Sequence, residues 1–271
     1  MRHVLRPSPG IGAGANNATV TWQNPRDDPR LPTTVTRTTG ARLTQILLAC
    51  GALYAVLYVV VNDVVAAGLY EGYDPVSQAV SELSAMGSPA KAFLTTIFPV
   101  WLALMVAFGI GVRRAAGRRR ALRVTGDLLV AHGIVALLWL AFPMTSRADI
   151  IAGAPAATND VGHIVMSAVT VAFILSQIGF SAAAFGWRFR LYATVSAVAI
   201  VAFGTMTSVQ ARNVAIGEPT PWMGLAERLS IAPWLLWMAV LAVMLMTARY
   251  AGPAAPVLGV GSGPAVTDDH A

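Results

Sequence analysis

The chain has 271 residues, of which 56% are hydrophobic and 12% charged, with a mean hydropathy of +0.62. An average soluble domain carries about 25% charged residues, so this composition belongs to the membrane class. The net charge of +6 bears on nucleic acid only if the basic residues cluster for it, and Cys50 as the single cysteine excludes an intrachain disulfide, a cysteine zinc cluster and a CxxC redox pair.

Residues 1–41 are rich in Pro, Gly, Thr, Asn and Arg without apolar periodicity and predict a disordered cytoplasmic tail. The "GIGAGA" within them follows no strand and opens no helix, so it fails the context of a dinucleotide loop. The tail lacks the apolar core of a signal peptide, so the first hydrophobic segment is expected to remain as a helix. Residues 42–249 then hold six apolar segments: Leu43–Leu69, Ala92–Val112, Leu122–Phe142, Gly162–Gly186, Leu191–Val209 and Leu225–Ala248. Each is close to the roughly 20 residues that a bilayer core of about 30 Å requires, and without the alternation of a barrel they predict an all-α bundle of six transmembrane helices. Pro99 and Pro233 fall inside spans and are expected to kink them. Residues 250–271 form a second tail.

Basic residues set the orientation. With the N-terminus inside, the cytoplasmic side receives the arginines up to Arg42, the loop "RRAAGRRRALR" (Arg113 to Arg123), Arg188, Arg190 and Arg249. Only Lys91, Arg147, Arg212 and Arg228 fall outside, which obeys the positive-inside rule and predicts a multi-pass plasma-membrane protein with both termini cytoplasmic. The high pI is thereby explained by loops facing cytoplasm and anionic headgroups, with membrane lipids as partners and no role for nucleic acid.

The first outer loop contains "YDPVSQAVSELSAMGSP", residues 73–89. Asp74 is a capping residue, Pro75 suits a first helical position, and Gly87 with Pro89 supplies a stop. Val76, Ala79, Val80 and Leu83 fall on one helical face and Ser77, Ser81, Ser84 and Ser88 on another. A short external helix of about a dozen residues is expected, lying on the outer membrane surface or tucked into the bundle and presenting Ser81 and Glu82.

Few polar residues lie within the spans. Asp127 is one turn inside the arginine loop and is expected to be solvated or to pair with Arg123; His132, deeper, is expected to bond across helices. Asp63 stands near the outer end of the first span. The outer ends of later spans are richer: Asp160, His163 and Ser167 share a face of the fourth, Arg212 ends the fifth, and Glu227 and Arg228 open the sixth. Two readings stand side by side. In one, Asp160 caps its helix, Glu227 favours a helix N-terminus and Arg228 pairs with a carboxylate. In the other, His163, Asp160, Glu82 and Ser81 form a catalytic group and Arg228, Glu227 and Arg212 a ligand-binding group. No GxSxG elbow supports a serine nucleophile, and His132 and His163 lie at different depths without HxxxH or HExxH spacing, so no metal and no cofactor is expected.

A "SELSAMGSP" element after the first span, "AFP" ending the third, a His opening the fourth and "ER" opening the sixth resemble the bacterial and archaeal membrane-protein family known as domain of unknown function 998. The resemblance covers residues 43–248 and implies an integral membrane protein of several helices. It singles out Ser81, Glu82, Pro143, His163, Glu227 and Arg228, and it brings no activity. A remoter likeness is to membrane hydrolases with a Ser, an Asp and a zinc-binding histidine trio, and this chain lacks the trio. Three functions follow as expectations: binding of a lipid headgroup or envelope molecule at an outward polar cluster, a membrane hydrolase or lipid-modifying enzyme using His163, and a small-solute transporter using His132.

Overall fold

The computed structural model describes residues 33–154 and 158–250. The tail readings for residues 1–32 and 251–271 lie outside the described residues. The chain divides after Thr39 into a short N-terminal unit and the unit Gly40–Ala271 that carries the bundle. Residues 33–39 are helical, so helix replaces the last part of the expected tail.

Helix α1 runs Thr33–Val59 and continues through a π-helical stretch, Val60–Ala66, into a last turn, Ala67–Leu69. A 3-10 turn, Val80–Ser84, precedes α2 (Lys91–Ala115); α3 (Arg120–Val135) tightens into a 3-10 end, Ala136–Ala141. The short α4 (Arg147–Ile151) leads to α5 (Thr158–Ala183), α6 (Trp187–Ala215) and α7 (Met223–Tyr250). Among the described residues six helices are long and apolar enough to cross a membrane, and the chain is a multi-pass membrane protein. Lengths of 22 to 31 residues exceed the roughly 20 that a bilayer requires, and each helix satisfies its own backbone. Pro99 and Pro233 both lie within unbroken helices.

Glycine lets α2 and α3 approach at backbone distance. A Cβ on Gly109 would stand 2.8 Å from the Gly126 carbonyl, and one on Gly126 would stand 2.8 Å from the Arg113 nitrogen. Small residues at such a crossing replace the hydrophobic drive that lipid removes. The close crossing also aligns Arg113 with Asp127, which form an exposed ion pair. Asp127 therefore bonds across helices to Arg113 instead of to Arg123 on its own helix.

The centre combines apolar packing with a buried polar network. Phe108, Leu129, Trp237, Met238 and Leu241 are fully enclosed. Between them Gln177 donates to the Leu128 carbonyl, lies 3.1 Å from His132 Nδ1, and accepts from Trp234 Nε1 at 3.2 Å. His132 also stacks on Phe173 at 5.2 Å, so it makes the interhelical bond its depth suggests. Ile164, Val195 and Val198, by contrast, are more than half exposed, as lipid-facing side chains are.

Residues 73–89 do not form the expected helix. Only Val80–Ser84 is helical, as a 3-10 turn, so no continuous serine stripe exists. Asp74 begins the segment with an Asx turn, accepting from the Val76 N–H at 3.0 Å and the Ser77 hydroxyl at 2.6 Å. The carbonyls that a helix would use are claimed by side chains: Pro75 by Arg228 and Ser77 by Arg147 and Thr220 from elsewhere in the chain, and Gln78 and Ala79 by the Tyr73 hydroxyl of the segment itself. Side-chain donors thus compete with the helical ladder and win. The segment is tucked inward, with Val80, Glu82 and Leu83 buried.

Candidate functional site

Residues 70–90, 142–154 and 216–222 lie between alternate spans and so gather at one end of the bundle, the loop end. Arg228, one turn into α7, is clasped there. Its Nε donates to Asp63 Oδ1 at 2.8 Å, Nη1 to the Pro75 carbonyl at 2.8 Å and the Gly224 carbonyl at 3.1 Å, and Nη2 to the Tyr73 hydroxyl at 3.0 Å. Asp63 reaches this position from the π-helical stretch of α1. Gly224 is needed because a Cβ there would collide with the Pro75 and Gln78 carbonyls. Glu227, next to Arg228, accepts from the Val80 and Ser81 N–H groups and so holds the open end of the 3-10 turn.

Glu82 closes that turn from inside, accepting from the Ala79 N–H at 3.0 Å. Its two oxygens also receive Arg147 in a fork, Nη2 to Oε1 at 2.6 Å and Nε to Oε2 at 2.9 Å. The carboxylate raises the Arg147 pKa above the usual arginine range. Arg147 continues to the Thr220 hydroxyl at 2.8 Å and the Ser77 carbonyl at 3.3 Å, so one guanidinium joins all three loops. Burial pushes the Tyr73 hydroxyl up to about 12, while the Ser77 hydroxyl and the Val76 N–H hold Asp74 below its ordinary value.

A cleft of about 250 Å³ opens beside the Glu82–Arg147 pair, lined by Tyr70, Ser88, Ser146 and Asp149 as well as the pair itself. Ser146 caps α4, accepting from the Asp149 N–H at 3.1 Å and donating to its carboxylate at 2.6 Å. Ala148, also on the lining, is exposed.

His163 and Asp160 sit against the segment after α3. Phe142 is the C-cap of the 3-10 end of α3, where a carbonyl has no partner in its own helix, and His163 Nδ1 lies 3.1 Å from that carbonyl. Gly162 permits the approach, since a Cβ there would strike the Phe142 ring. A carbonyl only accepts, so Nδ1 carries the proton and Nε2 keeps its lone pair. The ring also packs edge-on against Trp139 at 4.8 Å. Asp160 accepts from the Thr145 N–H and hydroxyl, each at 2.7 Å. Ser167 donates to the His163 carbonyl one turn back.

Ser81, Glu82, Glu227 and Arg228 therefore meet around one 3-10 turn, while His163 and Asp160 meet around the Phe142–Thr145 segment. The two groups are stitched by the Met86 N–H to the Met144 carbonyl at 2.8 Å. Arg212 stands exposed on α6, and none of these bonds reaches it. Among the described residues no three His, Cys, Asp or Glu side chains are placed to hold a metal ion. Sequence reasoning missed Arg147 and Tyr73 as organising residues. A signal was present for Arg147, one of few cations on its side and directly after the Ser146 cap of a Ser-x-x-Asp motif.

The model of the family described as "Protein of unknown function (DUF998)" matches residues 38–244, more than half of the chain. No curated protein and no solved structure matches it.

Proposed function

The chain belongs to the DUF998 family, and for this member we propose a plasma-membrane protein, both termini cytoplasmic, that binds the headgroup of an envelope lipid at its loop end. The observation that carries the reading is the cleft beside Glu82 and Arg147, a polar recess opening where outer-leaflet headgroups would lie. Glu82 and Arg147 neutralise one another and Asp149 adds a negative charge, so the recess favours an uncharged hydroxylated headgroup over an anionic one. Tyr70, Ser88 and Ser146 supply hydroxyls to such a group. Arg228 and Glu227, committed to Asp63, Tyr73 and the 3-10 turn, hold in place the turn that carries Ser81 and Glu82, and Arg212 takes no part in the recess.

Ala148→Trp fills the recess from an exposed position. Lipids co-purified with wild type and variant of equal thermal stability should differ by one discrete species, seen by mass spectrometry and lost from the variant. Identical bulk profiles would reject the reading. The orientation is checked separately by an impermeant maleimide on intact cells, in a Cys50→Ser background with one new cysteine at Ala148 or at Arg118. Labelling of the first site alone is expected.

His163 supports a second reading, a hydrolase. Its unprotonated Nε2 is a base, oriented by the Phe142 carbonyl and activating water, with Asp160 beside it on α5. Ser81 lies in the other group, which leaves water as the nucleophile. Full turnover of a fluorescent lipid ester by His163→Ala would reject this reading; loss of turnover with folding intact would favour it.

A further inference from the structure

The bundle has a second recess at its opposite end, where residues 116–119 and 184–186 connect the spans. Here α6 packs chiefly along α7, and between α6 and α5 an apolar groove of about 620 Å³ opens sideways. Ile178, Gly179 and Ala182 form one wall and Ala193, Ala197 and Val201 the other. A Cβ on Gly179 would meet nothing within 4 Å, so the groove is open at its middle.

Arg190 stands three, seven and eleven residues before Ala193, Ala197 and Val201, on the same face of α6 and at the head of the groove. It is exposed, and its Nε donates to the carbonyl of Ala182, itself a wall residue, at 3.4 Å. Arg119 lies 5.9 Å above the Phe185 ring in the same turn, and Arg188 begins α6. From Arg190 to Val201 the helix rises about 16 Å, close to half of a bilayer core of about 30 Å. An apolar channel one leaflet deep, headed by a cation, has the shape and charge of a phospholipid. Basic pockets between spans are known to take anionic headgroups.

We propose that this groove binds an anionic phospholipid, one acyl chain along Gly179 and Ala197 and the phosphate at Arg190. The site is independent of the cleft at Ala148, from which it is separated by the depth of the bundle.

The test is native mass spectrometry of the full chain in detergent with equimolar phosphatidylglycerol and phosphatidylcholine. Wild type should retain one phosphatidylglycerol in preference to phosphatidylcholine. Arg190→Gln should lower that preference about fivefold, Arg190→Lys should keep it, and Arg118→Gln, an equal charge change on the other loop, should leave it unaltered. Gly179→Leu should remove both lipids by filling the groove; Thr194→Trp does the same from an exposed wall position should the first variant fail to fold. Equal preference in wild type and Arg190→Gln would overturn the proposal, as would equal loss in Arg118→Gln, which marks diffuse surface charge. A dimer mass without a lipid adduct would assign the groove to a second copy and overturn it too.

Discussion

Arginine is used in opposite ways at the two ends of the bundle. At the loop end Arg147 and Arg228 have side chains only 20% and 18% exposed, each held by a carboxylate and by backbone carbonyls from other segments. At the other end Arg118, Arg119, Arg120, Arg123 and Arg188 are exposed. An enclosed guanidinium is desolvated and tolerates one arrangement, so it fixes the loops around it. An exposed one keeps its water and contributes chiefly to the local potential. Arg147 and Arg228, unlike the exposed Arg212 of the loop-end set, therefore carry more structural information than the many arginines opposite.

The comparison is most easily broken at Glu82. Removing it leaves Arg147 enclosed without its carboxylate, and the 3-10 turn without its acceptor for Ala79. Glu82→Ala should cost about 3–5 kcal/mol in denaturant unfolding in micelles. Glu82→Leu with Arg147→Met should recover most of that, because it removes both charges from the interior. A loss under 1 kcal/mol for Glu82→Ala would show that the fork does not organise the loops.

Gly224 sharpens the same point through sterics. A Cβ there strikes two carbonyls of the 73–84 segment that cannot move without releasing Arg228 and Tyr73. Gly224→Ala should cost about 1–3 kcal/mol, whereas Gly179→Ala, which meets no atom within 4 Å, should be neutral or slightly stabilising. Equal effects at the two positions would contradict the tight packing assigned to the loop end.

The spans were legible in the sequence because apolar length is a local property. Leu43–Leu69 and Ala92–Val112 fall within the spans Thr39–Leu69 and Lys91–Ala115. The fifth was read short, ending at Val209 where the helix continues through Gln210, Arg212 and Asn213. Polar residues there mark departure from the apolar region and not the end of the helix. The 73–89 segment was misread for a different reason: its helical signals are genuine, but its carbonyls answer to Arg147, Thr220 and Arg228 from 70 to 153 residues away. The partner of His163, the C-cap carbonyl of Phe142, lies 21 residues away on a different element and was hidden for the same kind of reason. Asp160 and His163 were found as a pair on one face; what each touches was not readable from that face.

Tyr73 provides a milder test with a defined pH window. Its hydroxyl donates to the Gln78 and Ala79 carbonyls and accepts from Arg228, so Tyr73→Phe should cost about 1 kcal/mol. Burial raises its pKa from the ordinary tyrosine value of about 10 to about 12, so folding favours the neutral form. The resulting stability is fully present below pH 10 and is lost as the pH rises through about 12. Thermal unfolding of wild type should weaken across that window more steeply than that of Tyr73→Phe. Parallel profiles would place the hydroxyl in water.

The smallest effect is expected at the opposite end. Arg113 and Asp127 form an ion pair with side chains 57% and 51% exposed, across the close Gly109–Gly126 crossing. Water screens both charges, so Asp127→Asn should cost under about 1 kcal/mol, and less still at 1 M salt, where the Debye length falls to about 3 Å. The glycines beneath the pair supply a control, because Gly126→Ala would press a Cβ onto Gly109 and Arg113 and should exceed the charge deletion at any salt. A cost above 2 kcal/mol for Asp127→Asn, insensitive to salt, would mean that this end too is held by its charges, and the contrast between the two ends would fail.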